Sequence, residues 1–378
     1  MARRGHGEGT IYRRGDGRWM AQVSVPTGRR KSLYGATRTE VSSKLVKVLR
    51  DIEQGMPSVT DERQTVEKYL TTWIETVRPP RMVEESWVAY DAVIRLHLLP
   101  EIGRVRLAQL TPQRVQTLYA TCLKKGLSST RVSLVHTVLH RALKIAVRMG
   151  LLQRNMTEMV DAPRPQKTDI HPLSREQVHA YLHEAQPERM RALFILALAT
   201  GMRIGELLAL KWSAIDLDAR KVRVNATLKW RHTAEDERVA VWAPPKSAHS
   251  RRQIAIAPHV VEALRAHRQA QRLERLAAGE VWQETGAVFA NRIGQPMSNQ
   301  QIRPIHNRIL RRANLPAIRV HDLRHTAATL ALMQNLNPKG VSEMLGHSTV
   351  SITLNIYAHV LPDMLEDAAE AMAVALFG

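Results

Sequence analysis

The sequence predicts a multidomain, mainly α chain with small β-sheets: an N-terminal three-stranded sheet plus helix, an all-helical middle, and a mixed α+β last domain. Three observations predict it. Residues 10–34 alternate short strand-like runs with glycine turns. Residues 61–150 carry helical periodicity and no convincing strand. A proline-bearing polar stretch, Asp161-Ala162-Pro163-Arg164-Pro165-Gln166-Lys167, then separates these from the remainder. A chain of 378 residues with 44% apolar side chains can build two or three separate cores.

In the first module the strand-like runs are 10–13, 19–25 and 29–34, punctuated by Gly15-Asp16-Gly17 and Thr27-Gly28. Val41, Leu45, Val48 and Ile52 recur at helical spacing, so a helix over 39–53 covers one face of that sheet. Gly55-Met56-Pro57-Ser58 ends the module. Four helices follow near 65–77, 84–98, 111–124 and 129–149.

The last domain opens with Ser174-Arg175-Glu176-Gln177, a capping-box pattern, and an apolar helix over 190–200 that Gly201 terminates. A short helix spans 203–210. Strands are expected at 221–225, 239–243 and 252–257, with Lys246 in a hairpin before the last, and the chain is mainly helical from Val260 onward. The expected boundaries are 1–58, 62–160, a linker at 161–172, and 173–378.

Charge narrows the function. Lysine and arginine number 55 against 35 acidic residues, a net +20, and the excess is spread over residues 1–60, 61–165 and 166–378 at +7, +6 and +7. A neutral enzyme with one basic tail would not look like this; a chain touching phosphates along its length would. Nucleic acid is therefore the expected partner. The single cysteine, Cys122, excludes a disulfide framework and a thiolate metal site and reads as core filler in a reducing, cytoplasmic setting. No apolar run is long enough to span a membrane, and no export signal is evident.

Five short stretches of the last domain carry chemistry: Thr200-Gly201-Met202-Arg203-Ile204-Gly205-Glu206-Leu207, Pro245-Lys246-Ser247, His321-Asp322-Leu323-Arg324-His325-Thr326, Leu345-Gly346-His347 and Asn355-Ile356-Tyr357-Ala358-His359. Each is weak alone. In this order they resemble the catalytic signature of the tyrosine recombinase, or phage integrase, family, whose last domain is of the DNA breaking-rejoining type and whose helical core-binding domain is SAM-like.

Transfer of a phosphodiester to a side-chain hydroxyl adds negative charge to the non-bridging oxygens, and fixed guanidinium groups lower that barrier. Arginine suits the task better than lysine, because its planar fork reaches two oxygens and stays charged. Arg203 and Arg324 fit it, with Glu206, one turn on, able to hold the Arg203 guanidinium. The resemblance implies Tyr357 as nucleophile, His321 as base, His347 as a donor to phosphate and Lys246 as the acid for the departing 5′-oxygen. A tyrosine of pKa ~10 needs such help at neutral pH. The 3′-phosphotyrosyl ester keeps the energy of the broken bond for rejoining, so no cofactor, neither ATP nor metal, is expected.

The first module resembles the arm-binding domain of phage integrases, in which the sheet enters the major groove, with Arg13, Arg14, Arg18, Arg29, Arg30 and Lys31 positioned for phosphates or bases. This favours an integrase that inserts and excises a phage or other mobile element in a bacterial host. The resemblance further implies core and arm-type DNA sites and a homotetramer on DNA. It leaves room for a directionality factor and a host DNA-bending protein. A segment over 361–377, with Met364, Leu365, Met372, Val374 and Leu376, reads as a helix able to dock on a neighbour or on its own domain.

Other readings stay open at this point. They are a chromosome-dimer resolvase, a non-cleaving DNA-binding regulator on the same fold, and a type IB topoisomerase. His321 and His325, four apart, also make a near miss of a zinc-protease motif, but aspartate follows the first histidine where that chemistry uses glutamate.

Overall fold

The computed structural model describes residues 9–24, 30–53, 63–165, 171–232, 238–245, 250–347, 349–356, 372–374 and 376–377. The chain divides into two compact units, 1–168 and 169–378. It is mainly helical with small antiparallel sheets, as the patterning predicts.

The first unit begins with strands β1 (Thr10–Arg13), β2 (Trp19–Ser24) and β3 (Arg30–Gly35), antiparallel in sequential order. The period-2 alternation decides which residues meet helix α1 (Arg38–Glu53). Ala21 and Val23 are buried against Val41, Leu45 and Val48, with Ile11, Trp19 and Leu33 packed around them. The other parity, through the register pairs Tyr12↔Met20↔Tyr34 and Thr10↔Gln22↔Ser32, forms the open face. Tyr12 and Tyr34 are exposed there, and the Arg14 guanidinium lies 5.8 Å from the Tyr34 ring centroid.

A separate core belongs to helices α2 (Val66–Thr76), α3 (Glu84–Val93), α4 (Leu99–Ile102), α5 (Pro112–Lys124) and α6 (Ser129–Arg148). Thr65, Thr111 and Ser128 cap α2, α5 and α6 by accepting a backbone N–H from the first turn. Val132, Val135, Leu139 and Leu143 line the buried face of α6, each such burial stabilising the fold by roughly 1.5–3 kcal/mol. A single π-helical turn, Ile94–Leu98, joins α3 to α4 where the sequence predicts one unbroken helix. Cys122 is buried in this core.

The second unit starts with α7 (Arg175–Glu184), where Ser174 and Gln177 make the reciprocal capping box. The apolar α8 (Arg191–Thr200) sits at the centre of its core, and α9 (Ile204–Leu208) follows. Strands β4 (Ile215–Asp216), β5 (Lys221–Val224) and β8 (Arg252–Ala255) form one sheet in the order β4-β5-β8. Strands β6 (Thr227–His232) and β7 (Arg238–Ala243) form another. The expected strands exist, but β8 pairs with β5 (Val224↔Arg252), and β7 finds its partner in β6, which the sequence does not announce. Thr-Leu-Lys-Trp-Arg-His alternates, but its polar positions are long cations that a loop carries equally well. Helices α10 (Pro258–Ala278), α11 (Asn299–Arg312), α12 (Asp322–Met333), α13 (Pro338–Leu345) and α14 (Val350–Ile356) complete the unit. Of the C-terminal stripe, Met364 and Leu365 lie outside the described residues, while Met372, Val374 and Leu376 are exposed.

Candidate active site

Helix α8 stops at Gly201, which adopts a left-handed conformation at φ 59°. A Cβ there would stand 2.4 Å from Leu345 Cδ2, so both the dihedral and the packing require glycine. The turn it makes delivers Arg203, in extended conformation, to the N-terminus of α9. Glu206 closes that end. Its Oε2 accepts the Arg203 backbone N–H at 3.1 Å and its Oε1 accepts from Arg203 Nη1 at 2.9 Å. A carboxylate at a helix N-terminus also meets the positive end of the peptide dipoles.

Helix α12 brings the second motif. Asp322 folds back onto Arg319, accepting from its backbone N–H at 2.8 Å and from its Nη2 at 2.9 Å, which secures the first turn. Arg324 is 4% exposed, and its Nη1 donates to the carbonyls of Gly201 at 2.7 Å and Leu345 at 2.8 Å. The side chain thereby ties the end of α8 to the end of α13.

The C-terminus of α13 is where the arginines meet. Three successive carbonyls each accept from a different guanidinium. Met344 takes Arg252 Nε at 2.6 Å, Leu345 takes Arg324 Nη1, and Gly346 takes Arg203 Nη2 at 3.1 Å. Helix termini leave their last carbonyls without intrahelical donors, and the dipole there favours cations, so one helix end holds three positive side chains together. Gly346, at φ 69°, turns the chain out of the helix and presents His347 beside them. His347 Nδ1 lies 2.7 Å from Thr353 Oγ1 on α14.

This crowding of cations sets the histidines. Burial first, then the charges of Arg324, Arg203, His325 and Arg252, bring His347 down to about 4. His325 is lowered to about 4 by burial and by His321, whose ring meets it edge-on at 5.2 Å. His321 keeps an exposed edge, yet enclosure of its ring and the charge of Arg324 hold it below the usual range. Unfolded histidines titrate near ~6.5, so below that pH the unfolded chain takes up protons that the folded chain refuses. The stability contributed by neutral His347 and His325 is present above pH ~6.5 and is lost as pH falls toward 4. The melting temperature is therefore expected to drop between pH 7 and 5, and His347→Gln to flatten part of that slope. A melting temperature constant over this range would contradict the assigned protonation.

Arg203, Glu206, His321, Arg324 and His347 are thus linked through α9, α12 and the end of α13. Lys246, Tyr357 and Arg29 lie outside the described residues. In the first module Arg13, Arg14, Arg18 and Arg30 are exposed, Arg14 facing Asp16 at 3.9 Å, and Lys31 is a β3 position. Sequence reasoning missed Arg252, which it treats only as the start of a strand, and Thr353. The Arg251-Arg252 doublet after Ser250 was the one available signal for the former; nothing marks the latter. Among the described residues no cluster of three or more His, Cys, Asp or Glu side chains is disposed to hold a metal ion, and no helix is long and apolar enough to cross a membrane.

Residues 171–364 match the Phage integrase family, and residues 65–122 match the N-terminal SAM-like domain of phage integrases. A "Tyrosine recombinase XerC-like" protein of Caldanaerobacter subterraneus subsp. tengcongensis is 31% identical over 380 residues, spanning 94% of this chain and 96% of the relative. Among solved structures, the Tn1549 transposon integrase in complex with transposon right end DNA is similar with a TM-score of 0.69 at 20% identity, covering 83% of this chain and 100% of that one. A lambda integrase tetramer bound to a Holliday junction gives a TM-score of 0.57 at 16% identity over 94% and 96% of the two chains. At these identities the two structures establish a common fold.

Proposed function

The chain belongs to the phage integrase family of tyrosine recombinases, and from that membership we propose that it integrates and excises a mobile element by cutting and rejoining double-stranded DNA through Tyr357. The observation that carries the chemistry is the gathering of Arg203, Arg252 and Arg324 on three consecutive carbonyls beside His347.

Arg203, whose side chain is 38% exposed, is the guanidinium most open to a phosphate. Arg324 stands one carbonyl away and adds a second positive charge. Together they bind the non-bridging oxygens and stabilise the charge that builds there. In the tautomer this role requires, the Thr353 hydroxyl donates to Nδ1, and His347 carries its proton on Nε2 and donates it in a hydrogen bond to the same phosphate. His321 takes the phenolic proton of Tyr357, the phenolate oxygen attacks phosphorus, and the bond to the 5′-oxygen breaks. Lys246 supplies the proton to that leaving oxygen. A 5′-hydroxyl of another strand then attacks the phosphotyrosyl ester and releases the tyrosine, and neither ATP nor a metal takes part.

Residues 173–378 form the catalytic domain, 62–160 the core-binding domain, 161–172 the linker and 1–58 the arm-type module. The open face of the first sheet, with Tyr12, Gln22, Ser32 and Tyr34 flanked by Arg14 and Arg30, is the surface for DNA bases and phosphates, together with Arg13, Arg18, Arg29 and Lys31. That module favours an integrase over a resolvase. Exchange of four strands calls for a homotetramer on DNA in the bacterial cytoplasm, with a directionality factor and a DNA-bending protein as accessory partners.

A pool of nicked duplexes with randomised sequence tests the reading. The wild-type protein is expected to capture some of them as adducts that survive denaturation, and Tyr357→Phe to capture none. An adduct formed by Tyr357→Phe would remove Tyr357 as the nucleophile.

A further inference from the structure

Arg252 lies outside the set that the family signature marks, yet it is the most fully engaged guanidinium of the cluster. It is the first residue of β8, its side chain is 8% exposed, and all three of its nitrogens donate. Nε reaches the Met344 carbonyl at 2.6 Å, Nη1 the Ser250 carbonyl at 3.0 Å and Nη2 the Glu206 Oε2 at 2.9 Å. Three of its five N–H groups are thus committed to partners within the protein. Arg252 joins three things that the proposed reaction needs in register: the carboxylate that aims Arg203, the helix end that precedes His347, and the strand that follows Lys246 in the sequence.

Glu206 is the hinge of this arrangement. Its carboxylate, 3% exposed, sits between two guanidiniums, Arg203 on Oε1 and Arg252 on Oε2. One carboxylate neutralises one cation, so the assembly keeps a net positive charge facing solvent through Arg203. Gly346 is shaped around the same side chain: a Cβ there would come within 2.8 Å of Arg252 Nη1.

We infer that Arg252 is a positioning residue for strand cleavage, holding the Glu206 carboxylate in place so that Arg203 meets the scissile phosphate already oriented. The inference rests on the reading of Arg203 as a phosphate-binding group. Burial alone pushes the Glu206 carboxyl up, and the hydrogen bond and charge of Arg252 lead the forces that bring it below the usual carboxylate range. Arg203 is the other cation acting on it, while Arg324 and His347 stand across the end of α13. Without Arg252 the carboxyl rises, accepts a proton as pH falls, and releases Arg203.

The test uses the duplex that the wild-type protein captures most efficiently from the randomised nicked pool, in single-turnover cleavage between about pH 6 and 9. Wild type is expected to be flat from pH ~6.5 to 8, since His321 titrates below its ordinary ~6.5. Arg252→Gln is expected to cleave roughly 100-fold more slowly at pH 7, the scale set by a misplaced catalytic group. Its rate should recover as pH rises, with duplex affinity within about threefold of wild type, because most contacts to the DNA backbone lie away from the scissile phosphate and are retained. Arg252→Lys restores a charge beside Glu206 but not the three-way fork, so its rate should be intermediate and its pH profile that of wild type.

An Arg252→Gln protein with wild-type rate, or one whose loss is the same at every pH, overturns the inference. Should that variant fail to fold, an Arg252→Lys protein cleaving as fast as wild type does so instead. Arg203→Ala separates the two layers. If it cleaves normally, the phosphate-binding reading of Arg203 falls. If it is inactive while Arg252→Gln behaves as wild type, only the role of Arg252 falls.

Discussion

Arg324→Ala is expected to slow covalent capture of DNA by roughly 10²–10³-fold, the loss typical of one preorganised donor to a developing anion. The same variant should melt at a lower temperature. The guanidinium donates to the Gly201 and Leu345 carbonyls, and both then lose a buried partner. Each orphaned acceptor costs about 1–3 kcal/mol. Arg324→Lys recovers the charge without the fork that spans both carbonyls, so it should restore part of the stability and little of the rate. Single-turnover adduct formation and thermal melts on the same preparations check both halves. A variant that melts early yet captures DNA at the wild-type rate would leave Arg324 as scaffold alone.

Glu206→Ala is expected to be strongly destabilising. It strips the carboxylate from between Arg203 and Arg252 and leaves the Arg252 guanidinium, 8% exposed, beside a second cation. Breaking a buried pair on one side costs roughly 3–5 kcal/mol. A polyanion should return part of that loss, because DNA phosphate supplies negative charge near Arg203. Denaturant titration with and without duplex DNA measures it: the deficit should be large for the free protein and smaller on DNA. Glu206→Gln keeps an acceptor for one arginine and should fall between. Equal stability of Glu206→Ala and wild type would mean that the two guanidiniums do not depend on this carboxylate.

The legible parts of the fold are those encoded over short sequence distances. Gly15-Asp16-Gly17 marks a turn, Ser174 and Gln177 a helix start, and Gly201 a helix stop, because each signal acts within four residues. Residues 200–207 and 321–326 were legible as a site only through the order of five stretches and the family resemblance it carries, each stretch being weak alone. Arg252 was not. Its contacts reach 46 residues back to Glu206 and 92 forward to Met344, and no spacing rule ties an arginine at a strand's first position to either. Strand β6 escaped because Lys229 and Arg231 occupy its polar positions. The π-helical turn at Ile94–Leu98 escaped because it is a single turn, too short for its i→i+5 spacing to stand out against the helical pattern on either side. The open face of the first sheet was half seen. The arginines stand out by charge, whereas Tyr12, Gln22, Ser32 and Tyr34 share a surface only through strand register.

Because Met344, Leu345 and Gly346 hang three guanidiniums from one short helix, those side chains are not independent parts. Loss of any one loosens the mooring of the other two, so the energetic penalties of substituting them overlap rather than add. The helix end therefore works as a shared keel: the cluster stays trimmed, or lists, as a whole.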